Sequence, residues 1–242
     1  MLGQSVKPIR RASLVDEIAS RLQDEILKGQ YRPGAVLPPE RELSERYGVT
    51  RTSLKHALVR LEEMGLIETR HGVGSVVKDV QQTGGADLLK YLVPAESSSD
   101  ISFVTEVAEA RTYVAAAFAG LAARRRTEDD LETLEELVDA LSAKKGQPEE
   151  VQRLENEFVR ALSKASHNRA FILLTNSVVA AYRLFWGTYR DIFLDGAWVE
   201  RSLKAVFEAI RDQDEERARI TTEEYFHEND RRLRALQARG AK

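Results

Sequence analysis

Arg51, Thr52, Lys55 and His56, with Ser53 beside them, share one face of a short segment. Its other face, Leu54, Ala57, Leu58, Leu61 and Met64, is apolar at spacings of three and four. Guanidinium, ammonium and hydroxyl groups gathered in this way form a donor surface without a counter-charge. Between Arg46 and Leu61 there are three arginines, one lysine and no acid, and Glu62 and Glu63 come only at the far end. The positive charge therefore collects at the N-terminal end, where helix N–H groups also point outward toward anions. Such a surface suits a phosphate backbone. A second set of donors follows at Arg70-His71-Gly72-Val73-Gly74, where two glycines permit a tight tip that approaches a groove closely.

Positioning these groups requires a particular run of elements. Gly48 separates an amphipathic segment, Pro39 to Tyr47, from a second one, Arg51 to Met64, and glycine enters left-handed geometry without a Cβ penalty. Thr50 has the hydroxyl to cap the second helix, and Gly65 follows its last apolar residue as a stop. Leu66 to Thr69 and Ser75 to Lys78 read as strands flanking the glycine tip. Helix, turn, helix and hairpin in this order predict a winged helix that reads DNA.

These residues carry a resemblance. Pro33-Gly34 before Leu37-Pro38-x-Glu40-Arg41-x-Leu43, then Val49-x-Arg51-x-Ser53-Leu54, Leu61-x-x-x-Gly65-Leu66 and Gly72-x-Gly74 resemble the N-terminal domain of the GntR family of bacterial transcriptional regulators, from about Ser13 to Val77. The resemblance implies that Arg41 and Arg51 contact bases, that Thr50, Thr52, Ser53 and Lys55 lie near phosphates, and that His71, Gly72 and Gly74 bring the wing to the minor groove. The chemistry agrees, since an arginine fork matches guanine O6 and N7 bidentately while lysine and hydroxyl groups suit phosphate oxygens. The expected partner is double-stranded DNA carrying an inverted repeat, read by a homodimer. Leu43, Val59 and Leu66 are open between the dimer and the core.

A chain of 242 residues, 43% hydrophobic and 31% charged, has room for two domains with separate cores. There is no cysteine, which excludes disulfides and thiolate metal sites. The N-terminal segment lacks a signal-type apolar core, and the longest apolar run, Val114 to Ala123, is too short to span a bilayer, so a cytoplasmic protein without a membrane role is expected. Residues 1–79 carry a net charge of +2 and the remainder −5, which sets a small basic domain beside an acidic one. The expected organisation is a winged helix-turn-helix domain over 1–79, a connecting segment with a short helix over 80–92, and an all-helical effector-binding and dimerisation domain over 93–242. The fold class is α+β in the first part, followed by an all-α bundle of six or seven helices. Helices are expected near Asp87–Tyr91, Ile101–Arg124 (capped from Ser98 to Asp100), from Thr127-x-x-Asp130 through Leu141, and over Glu149–Ala165, Arg169–Phe193, Ala197–Arg211 and Asp214–Ala238.

The second part resembles the ligand-sensing domain of the FadR branch of that family, through Glu109-x-Arg111, Glu157-Phe158-x-x-x-Leu162-x-x-Ala165-Ser166-x-Asn168, Tyr182, Tyr189 and Tyr225. Many members of the branch hold a divalent metal with one Asp and three His. The corresponding positions here are Glu155, Val159, Leu203 and Tyr225, and valine and leucine cannot ligate, so neither metal nor other cofactor is expected. The other chemistry of the branch is binding of long-chain acyl-CoA with release of DNA. It implies a pocket in which Arg111 meets an anionic head and Tyr182, Tyr189 and Tyr225 surround it, with Phe185 and Trp186 as apolar wall. Phe226, Asn229 and Leu233 depart from that pattern and would reshape the tunnel. An arginine in the apolar run Val107 to Ala123 would be costly to bury without an anion, and this supports the same expectation.

The sequence therefore predicts a DNA-binding regulator, not an enzyme, whose operator affinity responds to a small anionic metabolite such as a fatty acyl-CoA or fatty acid. The alternatives are the same regulator sensing another small carboxylate and, more remotely, a helical enzyme or scaffold with an accessory winged helix. Glu155 with Glu157, and Asp191 with Asp195, are the carboxylate pairs an enzyme would need, and both read as solvated faces.

Overall fold

A computed structural model describes residues 12–96, 102–183 and 190–240. The chain divides into two compact units, Met1–Leu88 and Leu89–Lys242.

The first unit opens with a helix that was not anticipated, α1 (Ala12–Leu27), which packs against the second helix of the helix-turn-helix. Its stripe of Ile18, Ala19, Leu22 and Ile26 is buried. Helices α2 (Glu40–Tyr47) and α3 (Arg51–Glu63) follow. The turn between them is made by Gly48 at φ +64°, whose N–H returns to the last carbonyls of α2. Thr50 Oγ1 accepts from Ser53 N at 3.2 Å and so satisfies one orphan donor of α3. Strands β1 (Ile67–Arg70) and β2 (Gly74–Val77) pair antiparallel, with Ile67 opposite Val77 and Arg70 opposite Gly74. Val36 adds a short bridge to Val76, reinforced on either side by Gly34 N to Val77 O and Leu37 N to Ser75 O, both 2.8 Å. Leu37, Leu43, Leu54, Leu61, Leu66 and Ile67 close this core, each less than 5% exposed. At about 1.5 to 3 kcal/mol per buried side chain, they hold the hairpin against α3. Leu43 and Leu66 are thus core residues, whereas Val59 is 43% exposed.

A single turn, α4 (Val80–Thr83), and a 3₁₀ turn at Ala86–Leu88 end this unit. The second unit holds seven α-helices among the described residues: α5 (Leu89–Glu96), α6 (Ser102–Arg125), α7 (Glu128–Lys144), α8 (Pro148–Ala165), α9 (Arg169–Arg183), α10 (Gly196–Arg211) and α11 (Glu215–Gly240). Its described residues contain no strand. Small side chains on α6 (Ala115, Ala119, Ala122 and Ala123, each 1% exposed or less) let α11 lie close along it. Phe118, Leu134, Leu141, Val151, Phe158, Val199 and Ile210 fill the space among α6, α7, α8 and α10. The capping box at the start of α7 forms as read, Thr127 Oγ1 accepting from Asp130 N and Asp130 Oδ2 from Thr127 N.

The short connecting helix expected at Asp87–Tyr91 is instead the 3₁₀ turn running into α5. The helix expected over Arg169–Phe193 is not one element: Arg190–Leu194 forms a 3₁₀ turn that buries Ile192 and Phe193, and Asp195 then caps α10. The cap expected from Ser98 to Asp100, and Phe185, Trp186 and Tyr189, lie outside the described residues.

Candidate functional site

On the winged helix, the N-terminal half of α3 exposes Arg51, Thr52, Lys55 and His56, while Leu54, Ala57, Leu58 and Leu61 face the core. Arg41 is exposed on α2, where it reaches Glu45 at 3.8 Å. Ser53 is half-buried with its hydroxyl 3.0 Å from that of Thr50, so these two residues form the helix cap. His71, Gly72, Val73 and Gly74 are all exposed at the hairpin tip, and Gly72 and Gly74 adopt φ +75° and +112°. Arg70 folds back on Glu68 at 2.8 Å.

The basic count read from sequence needs correction. Of its three arginines, Arg46 is held by Glu25 (3.0 Å) and Tyr31 (2.8 Å), with the Tyr47 hydroxyl on the same Glu25 oxygen. Burial and that hydrogen bond push the Tyr47 phenol well above its ordinary value. Arg60 pairs with Asp16 of α1. Arg51 and Lys55 enter no ion pair among the described residues and carry the positive character of the face. Sequence reading also missed Glu62, whose carboxylate accepts from Thr69 N (2.8 Å) and Thr69 Oγ1 (3.2 Å) and so ties the wing to α3. Its seven-residue offset spans a turn and carries no local signal.

In the helical unit, α6, α8, α9, α11 and the 190–194 turn enclose a cavity of about 60 Å³. Val159, Val179, Ile192, Phe193 and Leu233 line it on the apolar side, and Arg111, Gln152, Glu155, Asn156, Thr175, Asn229 and Asp230 are the polar residues along it among the described residues. Arg111 Nη2 donates to Asp230 Oδ1 at 2.8 Å and its guanidinium lies 4.5 Å above the Phe226 ring. Thr112 Oγ1 reaches the other Asp230 oxygen at 3.4 Å. Burial raises the Asp230 carboxyl, and Arg111 draws it back.

The premise that Arg111 is a buried cation in need of an external anion is therefore corrected, because Asp230 supplies the anion from within the chain. Asp230 follows Asn229 in a helix rich in exposed charge, and nothing local marks it as buried. Tyr225 is 2% exposed, stacks on Trp198 at 5.3 Å and donates its hydroxyl to Glu155 Oε1 at 3.1 Å. It sits behind the cavity wall. Tyr182 belongs to the last turn of α9, and its side chain, with Tyr189, lies outside what is described.

Glu155 is also corrected, since it is not on a solvated face. It is 5% exposed, in line with Val151, Leu154 and Phe158 on the buried stripe of α8, while Glu157 points outward to Arg153 at 2.7 Å. That stripe position was readable from the sequence. Burial pushes the Glu155 carboxyl up to about 7, against the opposing pull of Arg111 and Tyr225. The four positions that correspond to the branch's metal ligands hold Glu155, Val159, Leu203 and Tyr225, all buried. A carboxylate and a phenol already bonded to each other, beside two aliphatic residues, do not make a divalent-metal donor set. Among the described residues no group of three His, Cys, Asp or Glu side chains could hold a metal ion. Asp191 and Asp195 do not form a catalytic pair either, since Asp195 Oδ1 accepts from Trp198 N as the cap of α10.

A winged helix-turn-helix with an exposed cationic recognition face, and an all-helical unit with a partly polar internal cavity, are the two parts of a ligand-responsive DNA-binding regulator. The chain belongs to the GntR family of bacterial regulatory proteins: residues 14–77 match the gntR family of bacterial regulatory proteins and residues 106–228 match the FCD domain. An uncharacterised HTH-type transcriptional regulator of Mycobacterium tuberculosis is 35% identical over 232 residues, covering 91% of this chain and 90% of the relative. A fatty acid metabolism regulator protein of Pasteurella multocida is 32% identical over 171 residues, covering 71% and 68%. The solved structure of Lar from Listeria monocytogenes shares the fold, with a TM-score of 0.60 at 18% identity over 96% of this chain and 100% of that one. The family and these relatives are transcriptional regulators, not enzymes. No helix among the described residues is long and apolar enough to cross a membrane.

Proposed function

We propose that this regulator binds an inverted-repeat operator as a homodimer, with Arg51 and Arg41 reading bases, Thr52 and Lys55 on phosphates and the His71–Gly74 tip in the minor groove, and that a small, partly apolar metabolite in the helical cavity lowers operator affinity. The observation that carries the ligand part is the cavity itself, where buried polar groups face an aliphatic wall in a domain of ligand-responsive type.

A fatty-acid-derived effector is favoured by the relatives named as fatty acid metabolism regulators. At about 60 Å³ the cavity holds only a few heavy atoms, well under the roughly 300 to 1,000 Å³ of common ligand pockets. A long chain enters only if α9 and the 190–194 turn repack against α8. Such repacking is the difference between two arrangements that coupling to DNA requires. The anionic head expected from the sequence loses its main argument now that Asp230 neutralises Arg111.

Operator binding is to be titrated with fatty acids, fatty alcohols and acyl-CoAs of graded length at fixed salt, with and without a chelator. Release of at least about tenfold by one chain-length window, unaffected by chelator, is expected. Operator affinity indifferent to every apolar ligand, or release that needs a divalent cation, would overturn the proposal.

A further inference from the structure

The wing is held from both edges. Along β2 it is fixed by the Val36 bridge and by Val77 N donating to Ala35 O at 2.8 Å. Along β1 the edge is closed by Glu62 of α3, whose two carboxylate oxygens accept from Thr69 N at 2.8 Å and Thr69 Oγ1 at 3.2 Å. The strand pairing explains why this amide is on offer. Lys78 N donates to Leu66 O at 2.9 Å, and bonded pairs alternate along an antiparallel ladder. The Glu68–Val76 pair is therefore bonded and the Thr69–Ser75 pair is not, so the Thr69 N–H points away from β2. Ser75 shows the same parity from the other side, since its carbonyl accepts from Leu37 N at 2.8 Å.

Glu62 follows Arg51 and Lys55 on one stripe of α3, about two turns or roughly 10 Å beyond Lys55. A carboxylate on that stripe opposes a phosphate backbone unless its oxygens are occupied, and Thr69 occupies both. A two-stranded hairpin is marginal by itself, so its angle to the helix depends on such ties. The charged acceptor makes these bonds stronger than neutral ones of the same geometry. Thr69 precedes Arg70, which stands opposite Gly74 where the tip closes. Fixing Thr69 thus fixes where His71 and Gly72 can reach.

We infer that Glu62 is a positioning residue for DNA recognition: its clamp on Thr69 sets the reach of the His71–Gly74 tip relative to Arg51 and Lys55, so that helix and wing engage one stretch of duplex together. Glu62 acts through the wing and touches no base. This role rests on the reading of the wing as a minor-groove element.

The test uses the full-length protein and a duplex that it selects from a randomised pool, with binding read by fluorescence anisotropy at fixed salt. Exchanging single inosine–cytosine pairs for guanine–cytosine adds an amino group to the minor groove and leaves the major-groove pattern unchanged. At positions under the wing this exchange should weaken the parent about tenfold and Glu62→Ala less than about twofold, while discrimination at the Arg51 position stays as in the parent. On the selected duplex Glu62→Ala should bind about tenfold more weakly with its thermal transition retained, and its loss should not add to that of His71→Ala, because both remove the same contact. Glu62→Gln keeps an acceptor for Thr69 N and a donor for its hydroxyl, and should stay within about threefold of the parent. Thr69→Val removes the hydroxyl bond alone and should show the same positional loss at about threefold. Should Glu62→Ala lose its thermal transition, Thr69→Val decides by that positional measure. Losses of Glu62→Ala and His71→Ala that add, or a Glu62→Gln as weak as Glu62→Ala, overturn the inference. A parent that senses the exchange beside a Glu62→Ala that senses it equally sinks this inference alone. A parent indifferent to the exchange at every position sinks the minor-groove reading, and this inference with it.

Discussion

Arg111 on α6 and Asp230 on α11 meet at 2.8 Å across 119 residues of sequence, both largely buried, along the contact where these two helices pack. A buried ion pair of this kind adds little net stability over an apolar pair, yet losing one partner is costly because a charge is left desolvated.

Asp230→Asn is therefore expected to destabilise the helical unit by about 3 kcal/mol, while the double replacement Arg111→Met with Asp230→Leu recovers most of it. Denaturant unfolding of the three variants measures both. Equal losses in the single and the double variant would show that the pair is not the source.

Glu155 gives the fold a pH dependence of defined sign. Its folded-state value, about 7, lies above the ordinary glutamate value, so the folded protein holds this proton more tightly than the unfolded chain. Stability is then greatest below the ordinary glutamate range and falls as pH rises toward 7, by about 3 kcal/mol in all from this group. Arg111 and Tyr225, which face Glu155 from α6 and α11, already moderate the shift. Glu155→Gln should flatten the fall in chemical melts between pH 5 and 8, and a parent-like slope in the variant would contradict the assignment.

Arg51→Ala is expected to cost about 1 to 3 kcal/mol of operator binding and to relax discrimination at one base position, whereas Lys55→Ala weakens all sequences alike and lowers the salt slope. Fluorescence anisotropy against matched and mismatched operators at several salt concentrations separates the two. Undiminished discrimination by Arg51→Ala would remove it from base readout.

Gly48 at φ +64° has open space around the position of a Cβ, so strain is the whole penalty of replacing it. Gly48→Ala should cost about 1 kcal/mol, and Gly48→Val more, because a β-branched residue tolerates the left-handed region least. Thermal melts that left Gly48→Val as stable as the parent would mean the turn relaxes into another form.

Interactions within one turn of chain were legible before any fold was known. The Gly48 stop, the Thr50 cap, the Thr127–Asp130 capping box, the glycine wing tip and the apolar stripe of α3 depend on residues three or four apart, whose geometry the backbone itself dictates. The sequence by itself therefore determined the winged helix, the helical second unit and the residues that face outward on α3. Only the tertiary structure decided which charges remain available. Arg46 is taken by Glu25 at a separation of 21 residues, Arg60 by Asp16 and Arg111 by Asp230, while Tyr225 turns to Glu155 across 70. A buried charge takes its partner from whichever helix packs beside it, and that neighbour is chosen by the closing of the whole core, which no local spacing encodes.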